Sequence, residues 1–130
     1  MTDRTVAEKA HIKPGTTIAI INRVPGIVES LGLPDGVTFV EPAEAQLVFL
    51  FVNTLAELET LMPPAVEGLA PSAAIWVFYR KGSKSAGLDM SRNSVWAIAE
   101  KMGMRPLGLV SVDDSWSAFR LRRAQQGNPR

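Results

Sequence analysis

Apolar residues fall along this chain in blocks of two kinds, near-continuous runs and runs spaced by three or four. The run Gln46–Val52, read QLVFLFV, is rich in aromatic and aliphatic residues and bounded by Asn53 and Thr54. Such a run predicts a parallel strand buried on both faces. Thr17–Ile21 and Ala73–Tyr79 read as further buried strands, and Val37–Val40 as a short one ending at Glu41. Helical spacing lies between them. Ile27, Val28 and Leu31 form one short helix closed by Gly32, with Pro25 near its start. Leu55, Leu58, Leu61 and Met62 form the apolar face of a second, capped by Asn53 or Thr54, with Glu57 and Glu59 toward water. Pro63-Pro64 predicts a kink or break there, with Val66 and Leu69 resuming the face. Val95, Ile98, Ala99 and Met102 face the core from a third helix, stopped by Gly103.

The two ends of the chain differ from this middle. Met1–Ala10 suits a short helix ended by Lys13-Pro14-Gly15, while Leu107–Val112 and Trp116–Leu121, joined by Asp113-Asp114-Ser115, read as an antiparallel hairpin. The expected fold is therefore α/β: a three-layer open sheet, mostly parallel, with a C-terminal antiparallel hairpin. One domain over residues 1–124 and a polar tail at 125–130 fit a chain of 130 residues.

Composition narrows the functions more than it selects one. Hydrophobic residues make up 46% and charged residues 21%, as in an ordinary globular protein. The 14 basic and 13 acidic residues leave a net charge of +1, which disfavours a nucleic-acid binder. With no cysteine, disulfides, thiolate metal sites and cysteine nucleophiles are excluded, and a cytoplasmic setting suits the chain. His11 is the sole histidine, so neither a histidine-paired nucleophile nor a multi-histidine metal site can be built. The N-terminus lacks the apolar core of a signal peptide, and no apolar run reaches the about 20 residues that span a bilayer. No catalytic set, metal site or cofactor is expected. Two basic clusters stand out, Arg80-Lys81 with Lys84, and Arg120-Arg122-Arg123, the latter read as a solubilising strand edge.

From Gln46 onward the order of elements resembles the second half of the S-adenosylmethionine-dependent methyltransferase fold. LGLPDGVTFVE, the stretch around Leu69-Ala70-Pro71-Ser72 and the ending VDDSWSAFRL resemble a family of small bacterial proteins designated a domain of unknown function. The resemblance implies a truncated, methyltransferase-like Rossmann sheet and little about chemistry. Such folds need a glycine-rich turn after the first strand, where the ligand approaches bare backbone. Here that turn reads Asn22-Arg23-Val24-Pro25-Gly26, with Val24 and Pro25 in the approach. Glu41 follows about 20 residues later, where related folds carry an acid for ribose hydroxyls.

The candidate ligand or anion site thus comprises Asn22, Arg23, Gly26, Glu41 and Asn53 at the strand ends. Lys81, Ser83 and Lys84 lie in the loop after the strand Ala73–Tyr79, ahead of a helix start that would favour an anion. The leading expectation is a non-catalytic ligand-binding or interaction module whose partner is a small anionic ligand, with no membrane contact and with S-adenosylmethionine bound no more tightly than millimolar. The alternative is an S-adenosylmethionine- or nucleotide-binding enzyme using Asn22–Gly26 and Glu41. A homodimer through the hairpin side, using Val110, Trp116 or Phe119, completes the expectations.

Overall fold

A computed structural model describes residues 12–22, 24, 26–70, 73–80, 92–112 and 116–123. Its elements in chain order are β1 (Thr17–Ile21), α1 (Ile27–Ser30), β2 (Thr38–Phe39), a 3-10 turn (Pro42–Glu44), β3 (Leu47–Val52), α2 (Leu55–Glu67), β4 (Ala74–Arg80), α3 (Arg92–Lys101), β5 (Met104–Ser111) and β6 (Trp116–Arg123). The N-terminal helix expected at Met1–Ala10, the hairpin turn Asp113–Ser115 and the tail lie outside the described residues.

The six strands form one sheet in the order β2-β1-β3-β4-β6-β5. The first four strands are mutually parallel, and β6 returns antiparallel to both β4 and β5. The 3-2-1-4-5-6 doubly wound order carries a further strand outside the second; among the described strands β2 is itself the edge, so relative to that order the sheet is truncated on this side. All six residues of β3 are buried, as its unbroken apolar run requires. Alternate residues of the central strands serve two cores. Val48, Leu50 and Val52 meet Leu58, Met62, Ala65 and Val66 of α2 and Val95 and Ala99 of α3. Phe49 and Phe51 meet Trp76, Phe78 and Trp116, together with Ile27, Val28 and Leu31 of the α1 region. Helices on both faces make the three layers. The second core is aromatic, with Phe51 stacked on Phe78 at 4.5 Å and Phe49 tilted on Trp76 at 5.2 Å between ring centroids.

Several expectations are corrected. α2 runs without a break through Pro63 and Pro64. Each proline removes a donor, but the carbonyls left over belong to Glu59 and Thr60, on the exposed side of the helix where water replaces the lost bond. Arg80 ends β4 rather than opening a loop. β6 is an interior strand, so the arginines Arg120, Arg122 and Arg123 do not guard an edge. Arg123 instead donates to the carbonyls of Val66 and Leu69, the latter at 2.8 Å, and ties the end of α2 to the sheet. Val110, Trp116 and Phe119 are all buried, so the hairpin side does not present them; among the described residues the exposed large apolar ones are Phe39, Leu107 and Leu109.

Candidate ligand-binding crevice at the carboxyl ends of the parallel strands

The chain leaves β1 toward β2 on one side and returns to β3 on the other, so the strand order reverses between β1 and β3. Open α/β sheets bind ligands outside the carboxyl ends of the strands at such a switch point. Asn22 and Asn53 follow β1 and β3 directly.

Asn22 has φ of 60°, the one positive value among the described non-glycine residues. Asparagine tolerates this left-handed backbone better than most residues, and here it bends the chain away as β1 ends. Its Nδ2 donates to the Phe51 carbonyl at 2.8 Å and reaches Glu57 Oε1 at 3.4 Å. The same Glu57 oxygen accepts from the Asn53 backbone N–H at 2.7 Å and from Asn53 Nδ2 at 3.3 Å. Thr54 caps α2, its hydroxyl accepting from the Glu57 N–H at 3.1 Å. Arg80 closes the chain of contacts at the next strand: its Nε donates to Asn53 Oδ1 at 2.9 Å, and its guanidinium carbon lies 4.9 Å from the centroid of the Trp116 ring. A polar rim therefore joins the ends of β1, β3 and β4 and the start of β6. Beside it opens a cleft of about 330 Å³ lined by Asn22, Ala56, Glu57, Thr60 and Leu61.

Gly26 stands at the start of α1 with φ of 87°, its N–H donating to Glu29 Oε1 at 3.1 Å. Val24 packs against the second core rather than standing in the approach. Glu41 is exposed, two residues beyond β2, with extended backbone leading into the 3-10 turn. Arg23, Lys81, Ser83 and Lys84 lie outside the described residues. Asn22 and Asn53 are thus brought together through Glu57, while Gly26 and Glu41 stand at the ends of the neighbouring connections. Sequence reasoning missed Glu57, and it placed Arg80 in the basic loop after the strand rather than at the strand's end beside Asn53. Glu57 was expected to face water, yet Thr54 followed three residues later by Glu57 is a capping-box spacing, which turns that carboxylate back toward the strand end.

Neither a family model nor a curated protein matches the chain. Solved structures do. The B. subtilis M1A22 tRNA methyltransferase TrmK superposes with a TM-score of 0.55 at 11% identity, over 88% of this chain and 63% of that one. The fold is methyltransferase-like. The ribosomal protein L11 methylase of Lactobacillus delbrueckii gives 0.56 at 12% identity, over 91% of this chain and 74% of that one. Sp1610 of Streptococcus pneumoniae, solved in complex with S-adenosyl-L-methionine, gives 0.54 at 6% identity, over 92% and 72%. At these identities the likeness is one of fold, and the chain spans less than two thirds of TrmK. Among the described residues, no helix is long and apolar enough to cross a membrane.

Proposed function

We propose that the protein binds S-adenosylmethionine or an adenine nucleotide in the crevice between the ends of β1 and β3. The observation that carries this reading is the turn after β1. Val24 packs against the second core, and a Cβ built on Gly26 would meet no atom within 4 Å. Open backbone at this point is what close approach of a ligand requires. Exposed Glu41, two residues beyond β2, supplies the acid for ribose hydroxyls, and the Glu57 carboxylate suits hydroxyl donors or a cationic group. The fold shared with Sp1610, solved with S-adenosyl-L-methionine, supports the same ligand class. This reading favours the enzyme alternative over the non-catalytic module.

Calorimetric titration with S-adenosylmethionine and with ATP tests it. Micromolar affinity for one of them is expected, weakened about tenfold in Glu41→Ala by loss of a charged hydrogen bond. Binding no tighter than millimolar for both ligands would return the crevice to the second reading, a non-catalytic interaction module. That reading is favoured by the truncation of the sheet at β2, which leaves Phe39 53% exposed at its edge.

A further inference from the structure

The opposite rim of the sheet carries a second cavity that owes nothing to the crevice. About 280 Å³ in volume, it lies at the amino ends of β3 and β4, and its walls include Lys13, Gln46, Trp76, Leu107, Arg120 and Arg122. Three cations converge on it. Among the described residues no carboxylate lines it. Lys13 and Arg122 are exposed, but Arg120 is half-buried, and its Nε is shielded from water with no hydrogen-bond partner. A buried guanidinium N–H without an acceptor is costly, and none of the described residues supplies one.

The backbone is shaped around this arginine. Arg120 lies opposite Gly108, where the ladder between β5 and β6 slips at Pro106/Gly108. A Cβ at Gly108 would come within 2.6 Å of Arg120 Nη2, and the residue's φ of 152° further favours glycine. The bulge and the glycine together leave the space that the guanidinium fills. Trp76, the partner of Arg120 across the ladder with β4, is 3% exposed and adds an aromatic wall, and Leu107 adds an apolar lip.

We infer that this cavity is a binding site for a small oxyanion, carboxylate or phosphate, carried on a flat apolar body. Arginine holds either oxyanion through its planar fork, Lys13 and Arg122 add charge, and Trp76 with Leu107 receives the apolar part. The site is independent of the adenosyl ligand proposed for the opposite rim.

Thermal unfolding of the full chain with benzoate, phenyl phosphate, inorganic phosphate and the neutral analogue benzyl alcohol tests the inference. Benzoate and phenyl phosphate are expected to raise Tm in a saturable way, whichever oxyanion is preferred being the stronger. Inorganic phosphate should act more weakly and benzyl alcohol not at all. Arg120→Gln should weaken the aromatic anions about tenfold. Since that variant disturbs a half-buried strand residue, Arg122→Gln provides the second reading: its side chain is exposed, so the fold is kept, and a several-fold weakening is expected. Lys101→Gln, which removes one exposed charge from the end of α3, should leave the response unchanged. Equal protection by benzyl alcohol, or an Arg122→Gln response matching that of Lys101→Gln, would overturn the assignment.

Discussion

Asn22 shows how one side chain can settle a turn that its neighbours leave open. Its left-handed backbone is strained for most residues by about 1–2 kcal/mol, and its amide offsets the cost by bonding the Phe51 carbonyl. Asn22→Gly should keep the backbone, losing the bond and adding unfolded-chain entropy, at about 1–2 kcal/mol, whereas Asn22→Ala loses the bond and regains the strain, at about 2–3 kcal/mol. Urea unfolding midpoints of the two variants test the order. Equal losses would mean that strain plays no part. Arg123 makes the complementary point, because nothing in a terminal run of arginines announces that one of them bonds the last carbonyls of a helix more than 50 residues earlier in sequence.

At the scale of elements, α2 decides the most. Its cap at Thr54 aims Glu57 at the strand ends, and its buried stripe Leu58, Met62, Ala65 and Val66 holds the helix together past two prolines. Interior proline costs a helix up to about 3 kcal/mol, and packing of an amphipathic face is what offsets it. Pro64 is exposed, so Pro64→Ala removes no packing and restores a donor toward the Thr60 carbonyl. We expect it to stabilise the protein by about 1–3 kcal/mol, less any gain in unfolded-chain entropy, read as a rise in Tm. An unchanged or lowered Tm would show that Pro64 serves the fold in some other way.

For the whole molecule, the sheet leaves two edges, a two-residue β2 and an eight-residue β5. β5 is blunted against ladder pairing by Pro106 and the slip beside it, yet Leu109 is 44% exposed. Self-association on this side would therefore proceed through side chains rather than through an extended ladder. The expected behaviour is concentration-dependent sedimentation at high micromolar protein, abolished by Leu109→Lys. A strict monomer in the parent at that concentration would remove the expectation.

The sequence by itself determined the elements whose signal is local. An apolar run as short and as rich in aromatic and β-branched residues as Gln46–Val52 fits the inside of a sheet, and the alternation of such runs with helical spacing pointed to helices on both faces. The pair Asn53-Thr54 announced a cap, which Thr54 makes, and Gly103 its helix stop, because both act within one turn of chain. What only the tertiary structure decided concerns partners distant in sequence. Val24 reads as an obstruction until α1 offers it a core to pack into. Glu57 and Arg80 read as solvated until the ends of β1, β3 and β4 are placed side by side. The arginines of β6 read as an edge until β5 lies outside them, and each then takes a different environment according to the face and register on which the ladder sets it. Side-chain polarity is written residue by residue; which charge meets which carbonyl, cavity or water is set by strand order, and strand order is a property of the whole sheet.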